Sequence, residues 1–130
     1  MRILIVDDDS VTRKVLTSLL FEVGDCDSAS NGEEAIEAVK RSMEEGKPYK
    51  LICMDIMMPS LDGQETLQTI RTLEEDKDIP VIDRAHVFMI TALSDAANVM
   101  KAFGERCDAY LVKPIEKDKL FQELKNRNLL

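Results

Sequence analysis

The segment that most constrains the fold is residues 51–63, LICMDIMMPSLDG. Its first four residues are apolar, and the run ends at a single carboxylate, Asp55. Pro59 has no amide N–H for a sheet, and Asp62-Gly63 is a dipeptide typical of turns, so a strand cannot continue far beyond Asp55. The segment therefore predicts a buried strand that presents Asp55 at its carboxyl end, where open α/β sheets bind their ligands.

Apolar segments alternate with amphipathic ones along the whole chain. The predicted strands are residues 2–6, 26–30, 51–54, 87–90 and 109–112, the second being half polar and therefore an edge strand. A first helix is expected to begin at Asp9 or Ser10, to bury an apolar face that includes Val11 and Val15, and to end at Gly24. The other predicted helices cover residues 33–43, 64–73, 96–103 and the region around residues 120–124. This alternation predicts one three-layer α/β domain over residues 1–130, with a parallel sheet and right-handed crossovers.

Composition excludes several classes of function. A net charge of −8 argues against direct binding to nucleic acid or to an anionic membrane. No apolar stretch approaches the ~20 residues of a membrane span. The three cysteines are far apart and form no CxxC pair, which predicts reduced thiols and a cytoplasmic protein.

Polar residues follow four of the predicted strands, and the carboxyl ends of parallel strands share one edge. Clustered carboxylates repel one another unless a cation is present, and hard oxygen ligands suit Mg²⁺. A carboxylate can act as a nucleophile toward phosphorus, while a hydroxyl and an ammonium group can hold the phosphoryl oxygens. The pattern predicts a phosphoryl-transfer site formed by Asp7, Asp8, Asp9, Asp55, Thr91 and Lys113.

Four motifs, in this order and at these strand ends, resemble those of response-regulator receiver domains, and of single-domain chemotaxis regulators in particular. They are VDDD at residues 6–9, MDIMMPSLDG at 54–63, TA at 91–92 and YLVKP at 110–114. The resemblance implies a flavodoxin-like (βα)5 domain with the sheet order 2-1-3-4-5. It also implies a signalling protein rather than an enzyme in the usual sense, one that catalyses its own phosphorylation and acts on an unknown downstream protein.

The same resemblance assigns roles to individual residues. Asp55 would accept phosphate from a phosphorylated histidine of a sensor histidine kinase or a phosphotransfer protein. Asp8, Asp55 and the backbone carbonyl of Met57 would hold Mg²⁺, with Asp7 acting through water. Thr91 and Lys113 would bind the phosphoryl group.

Three further roles follow from the resemblance. Tyr110 would change its side-chain rotamer when Asp55 is phosphorylated, and a cis bond before Pro114 would keep Lys113 aimed inward. Met57 and Leu93 would flank the line along which water attacks the phosphorus. Neither side chain can orient that water, so slow self-dephosphorylation is expected.

The chain departs from the family pattern in two places. Six residues, 81–86, separate Pro80 from the predicted fourth strand, and His86 is interpreted as an ordinary loop residue of this connection. The acidic stretch 74–78 before it is interpreted as a solvated helix end. Before the fifth strand, Arg106 stands where a glycine is usual, so either Gly104 shifts the turn or Arg106 adopts a strained conformation.

Two alternative functions are also compatible with parts of the sequence. ILIVDDDSV at residues 3–11 also fits the hhhhDxDxV pattern of haloacid-dehalogenase-type phosphohydrolases, with Asp7 as nucleophile and Asp9 as general acid/base. That hypothesis needs a later acidic pair, for which Glu116 and Asp118 are available, and it gives Asp55 no role. The second alternative is a receiver-like interaction module that is never phosphorylated.

Overall fold

The computed structural model describes residues 1–92 and 107–130. Within them the strands are β1 (Arg2–Val6), β2 (Asp25–Ala29), β3 (Leu51–Asp55), β4 (His86–Ala92) and β5 (Ala109–Lys113). The helices are α1 (Ser10–Leu20), α2 (Gly32–Glu44), α3 (Gly63–Asp76) and α4 (Lys117–Asn126), with a 3-10 turn at Val81–Asp83. The predicted helix over residues 96–103, Gly104 and Arg106 lie outside the described residues.

The five strands form one parallel sheet in the order β2-β1-β3-β4-β5, which confirms the expected flavodoxin-like order. β3 is central and buried at all five positions. β2 lies at one edge, as its half-polar sequence predicts. The sheet therefore places Asp55 at the end of its most protected strand.

Alternate residues of each strand face opposite sides of the sheet and supply two separate hydrophobic cores. On one side Leu4, Ile52 and Val87 pack with residues of α2 and α3. On the other side Ile3, Cys53 and Phe88 pack with residues of α1 and α4. This arrangement confirms the three-layer α/β architecture. In the described part of the chain, no helix has the length and apolar character needed to cross a membrane.

Helix α1 corrects two sequence-based predictions. Asp9 caps the helix by accepting a hydrogen bond from the Val11 N–H, but the helix ends at Leu20 and not at Gly24. A Cβ at Gly24 would lie 2.4 Å from the Met1 carbonyl oxygen, so this glycine permits a close backbone approach instead of ending the helix.

The apolar face predicted for α1 was also too wide. Val11 and Val15 remain 64% and 43% exposed, while Leu16 and Leu20 are fully buried. The helix therefore packs on the sheet through its second half and leaves an apolar strip open near the end of β1.

Residues 75–78 are exposed around the end of α3, as expected for a solvated helix end, and the interpretation of residues 74–78 is corrected only at Glu74. Helix α3 continues to Asp76, and Glu74 is only 2% exposed. Its Oε1 accepts a hydrogen bond from Arg71 at 2.7 Å, and its Oε2 accepts one from the Ala85 N–H at 2.8 Å. The buried Glu74 side chain therefore links α3 to the backbone of the residue before β4.

His86 is likewise not a loop residue, because it is the first residue of β4. Its Nδ1 lies 3.6 Å from Oδ1 of Asp108, whose Oδ2 accepts a hydrogen bond from the Val87 N–H at 2.7 Å. The strand predicted over residues 87–90 is confirmed and extends further at both ends.

Candidate functional site

The carboxyl ends of four strands bring the predicted residues to one edge of the sheet. Asp7 follows β1, Asp55 ends β3, Thr91 is the second-to-last residue of β4 and Lys113 ends β5. Asp7, Asp55 and Thr91 are buried, whereas Lys113 is half-buried. This edge of the sheet therefore carries two buried carboxylates with the ammonium group of Lys113 beside them.

The loop after β3 is shaped by its turn residues. The Asp62 side chain caps α3 by accepting a hydrogen bond from the Glu65 N–H at 2.9 Å. A Cβ on Gly63 would lie 2.5 Å from the Asp55 carbonyl oxygen, and the Gly63 N–H donates to the Ile56 carbonyl at 2.9 Å. Only glycine lets α3 begin this close to the strand, which explains the Asp-Gly dipeptide predicted to be a turn.

Three carboxylates form an acidic cluster at this edge. One oxygen from each of Asp7, Asp8 and Asp55 lies within 4.8 Å of the others, with Asp8 exposed to solvent. Asp9 is instead committed to the cap of α1, and its hydrogen bonds from the Val11 N–H and the Thr12 hydroxyl lower its pKa. The acids are therefore divided between the site and the helix that follows it.

Lys113 lies between the two buried carboxylates. Its Nζ is 3.1 Å from Asp7 Oδ2 and 3.5 Å from Asp55 Oδ2. Burial alone would lower the pKa of Lys113, but the neighbouring charges of Asp55 and Asp7 outweigh burial and raise it. The ammonium group therefore stays charged, and the Lys113–Pro114 peptide is cis as predicted.

The environment of Asp55 disfavours its negative charge. Burial raises the pKa of its carboxyl group, and the negative charge of Asp7 raises it further. Lys113 and the Met57 N–H, which donates to Asp55 Oδ1 at 3.3 Å, oppose this shift without cancelling it. The site thus holds more negative charge than Lys113 neutralises.

The residues present fit a divalent cation that prefers oxygen ligands. Asp7 Oδ2 is buried, and the Lys113 Nζ that lies 3.1 Å from it is shared with Asp55, so one ammonium group faces two buried carboxylates. Asp8 is open to solvent, so a bound cation could keep part of its water shell, as Mg²⁺ usually does.

Thr91 and Tyr110 occupy neighbouring strands. Thr91 is 1% exposed, and its hydroxyl donates to the Ala92 carbonyl at 3.2 Å. Tyr110 pairs with Met89 in the register of β4 and β5, and its half-buried ring packs against the core. Burial of the phenol raises the pKa of Tyr110, and the neighbouring Cys107 thiol raises it further.

The sequence missed one residue at this edge. Arg13 Nη1 donates to the Asp7 carbonyl oxygen at 2.7 Å, so a guanidinium group from α1 holds the backbone of the acidic loop. The available signal was its position one turn into the helix that follows that loop. Met57 lies at the rim and is 66% exposed, whereas Leu93, the other residue predicted to set the dephosphorylation rate, lies outside the described residues.

Known proteins share both the sequence pattern and the fold. The profile of the response regulator receiver domain matches residues 3–125. The transcriptional regulatory protein ResD of Bacillus subtilis is 39% identical over 114 residues, which are 87% of this chain and 42% of ResD. The probable transcriptional regulator ycf27 of Porphyridium aerugineum is 35% identical over 120 residues, which are 92% of this chain and 44% of that protein. The chain thus spans less than half the length of these relatives.

A solved structure gives the same result in three dimensions. The receiver domain of Ssk1 from Saccharomyces cerevisiae, crystallised with the histidine phosphotransfer protein Ypd1, superposes with a TM-score of 0.78 and 27% identity. The match covers 96% of this chain and 86% of the other. Family profile, relatives and fold agree, and the chain belongs to the response regulator receiver domains of two-component systems.

Proposed function

We propose that Asp55 is the phosphorylated residue of this receiver domain and that a phosphohistidine is the donor. The observation that carries the proposal is the difference between the two buried acids. The Asp55 side chain keeps 7% of its surface exposed, whereas the Asp7 side chain keeps 0%. A donor can therefore reach the Asp55 carboxylate, whereas the fully buried Asp7 carboxylate is closed to a donor.

This difference also argues against Asp7 as a phosphohydrolase nucleophile. Asp9, which that hypothesis needs as general acid/base, has both carboxylate oxygens engaged in the cap of α1. The comparisons with known proteins likewise point to receiver domains.

The proposed chemistry is a transfer between nitrogen and oxygen. An Asp55 carboxylate oxygen attacks the phosphorus, a new O–P bond forms, and the P–N bond breaks with its electron pair returning to the imidazole. The product is an acyl phosphate. Lys113, with Nζ 3.5 Å from Asp55 Oδ2, offsets the negative charge that accumulates at the site. The Thr91 hydroxyl, on the adjacent strand, supplies a donor for a phosphoryl oxygen.

Mg²⁺ is the proposed cofactor, held by Asp8, Asp55 and the backbone carbonyl of Met57, with Asp7 contributing through water. When bound, it would offset the negative charge of the carboxylates and of the incoming phosphoryl group. The proximity of the three acids, which face a single ammonium group, supports this assignment.

The proposed donor is a sensor histidine kinase or a phosphotransfer protein. Val11 and Val15 are exposed in the first half of α1, and Met57 is exposed beside Asp55. These apolar side chains lie around the acidic cluster, where a protein donor would cover them and exclude water from the transfer. Ssk1, a structural neighbour, was crystallised with a histidine phosphotransfer protein.

Phosphorylation would then alter a partner-binding face through Thr91 and Tyr110. Drawing the Thr91 hydroxyl toward the phosphoryl group frees space for the Tyr110 ring to turn inward. The target is an unidentified protein. We treat residues 1–130 as one receiver domain, and place it in the cytoplasm because Cys26, Cys53 and Cys107 are free thiols.

The test is intact-protein mass spectrometry after treatment with acetyl phosphate and Mg²⁺. Wild type should gain one phosphoryl group and Asp55→Asn none. Asp7→Asn, the matched control, should still be phosphorylated but should require more Mg²⁺. A phosphoryl group gained equally by Asp55→Asn would refute the proposal.

A further inference from the structure

We infer that a cavity at the opposite edge of the sheet is a second binding site, and that its ligand is a small organic anion with an apolar portion. The cavity has a volume of about 690 Å³. Its walls include Lys50, which precedes β3, His86, which begins β4, and Asp108, which precedes β5. These are the amino-terminal ends of three parallel strands, so the cavity lies across the sheet from Asp55.

The segment that departs from the family pattern forms one wall of this cavity. Val81, Ile82 and Arg84 line it, and Arg127 with Leu129 approaches from the segment after α4. Val81 and Ile82 are 78% and 87% exposed, although both are large aliphatic residues. A ligand with a hydrocarbon or aromatic group would remove part of this apolar surface from water.

The lining of the cavity is cationic in a chain that is strongly anionic. Among the described residues of its lining, four side chains are lysine or arginine and two are carboxylates, which gives these residues a net charge of +2 with histidine neutral, against −8 for the whole chain. The cations are Lys50, Arg71, Arg84 and Arg127, and the carboxylates are Glu75 and Asp108.

The four cations are not equally compensated. Arg71 is bound by Glu74 at 2.7 Å and by Asp108 at 3.3 Å. Arg84 instead donates to the Ile79 carbonyl at 2.9 Å, and Arg127 donates to the Asp108 carbonyl. Over residues 1–92 and 107–130 neither of these two guanidinium groups forms an ion pair with a carboxylate. Their positive charge is therefore available to a ligand.

Size and charge together select the class of ligand. A volume of about 690 Å³ falls within the range of about 300–1,000 Å³ typical of small-molecule sites. The paired N–H donors of an arginine guanidinium group bind carboxylate, sulfonate and phosphate groups. The overall negative charge disfavours an extended polyanion such as nucleic acid, since most of such a chain would lie outside the cationic lining.

Binding can be tested with 8-anilinonaphthalene-1-sulfonate, an organic anion that fluoresces when it enters an apolar site. Its uncharged analogue N-phenyl-1-naphthylamine has the same ring systems without the sulfonate. We expect saturable binding of the anion, and binding of the neutral analogue weaker by at least ~10-fold, the equivalent of about 1.4 kcal/mol. Amide resonances of residues 81–86 and 127–129 should shift with the same saturation curve.

Paired variants separate a specific site from general attraction. The double variant Lys50→Gln with Arg127→Gln should bind the anion with an affinity lower by ~10-fold or more. Lys47→Gln with Lys125→Gln changes the net charge equally at exposed positions outside the cavity and should leave affinity unchanged. Ile82→Ser, at a nearly fully exposed position that the fold does not depend on, should weaken binding by removing apolar contact.

Three results would overturn the inference. They are no saturable binding to wild type, equal weakening in the two paired variants, and resonance shifts confined to residues outside the cavity. Asp55→Asn should bind the anion as wild type does, so this test stands independently of the phosphorylation proposal.

Discussion

Replacing Asp55 with asparagine should stabilise the domain in metal-free buffer, because the acidic cluster holds like charges close together. Asp55 lies within 4.8 Å of a carboxylate oxygen of both Asp7 and Asp8, and 3.5 Å from Lys113 Nζ. At an effective dielectric constant of about 20–80, each repulsion costs about 0.9–3.5 kcal/mol and the attraction returns about 1.2–4.7 kcal/mol. The two repulsions exceed the one attraction by about 0.5–2 kcal/mol, so Asp55→Asn should raise the free energy of unfolding by that amount.

The pH dependence of this effect has a definite sign. The pKa of Asp55 is raised above its ordinary value of 3.8, so the folded state binds more protons than the unfolded state between the two values. The contribution of Asp55 to the stability of wild type is therefore most favourable below pH 3.8 and declines as pH rises through the folded-state pKa. The advantage of Asp55→Asn should be full at neutral pH and should vanish in acid.

Thermal unfolding at neutral pH and at pH 3, with and without Mg²⁺, measures the effect. For a domain of this size, about 0.5–2 kcal/mol corresponds to a rise in Tm of roughly 2–8 °C. Mg²⁺ should stabilise wild type more than the variant, because ligand linkage requires an intact site. Asp25→Asn removes an exposed carboxylate from the edge strand and should change Tm little. A destabilised Asp55→Asn at neutral pH without metal, or an advantage that persists at pH 3, would refute the electrostatic reasoning.

Three other side chains allow tests of separate contacts. Glu74→Ala should lower the free energy of unfolding by about 3 kcal/mol in urea denaturation, because it removes the nearer of the two carboxylates that contact buried Arg71 and also the acceptor of the Ala85 N–H; a loss below 1 kcal/mol would contradict this. Thr91→Ala should accept phosphate yet abolish the change in amide exchange around Tyr110, and a normal response would exclude the coupling. Met57→Asn with Leu93→Glu should speed phosphate loss in Mg²⁺ buffer, and equal decay rates would show that these residues do not set it.

The sheet and the site could be predicted because their signals are local. Each strand is a short apolar run followed at once by a polar residue, so Asp7, Asp55 and Lys113 were placed at strand ends without knowledge of tertiary contacts. The shared direction of parallel strands then brings those ends together. Asp9 as a helix cap and the turn at Gly63 follow from equally local rules.

The errors came from contacts between residues distant in sequence. Glu74 looks like one of several surface acids until Ala85 and Arg71 are seen to surround it. His86 was assigned to a loop because its pairing with β3 and its approach to Asp108 cannot be read from neighbouring residues. Gly24 fits the pattern of a helix stop, and its close approach to Met1 is visible only in three dimensions.

The exposure of Val11 and Val15 shows a different limit. Helical periodicity identifies which residues share a face, but it does not show how far along the helix that face is covered. Here α1 contacts the core through Leu16 and Leu20, and its first half remains open beside the acidic cluster. The apolar residues left uncovered are those assigned above to the approach of the phosphoryl donor.

The central claim is that the phosphoryl group is carried by Asp55 and by no other carboxylate of the cluster. Borohydride reduces an acyl phosphate to the alcohol, so it converts a phosphorylated aspartate to homoserine and marks the position permanently. Peptide mass mapping after acetyl phosphate, Mg²⁺ and borohydride should find homoserine at position 55 alone. Homoserine at position 7 or 8, with position 55 unchanged, would contradict the assignment.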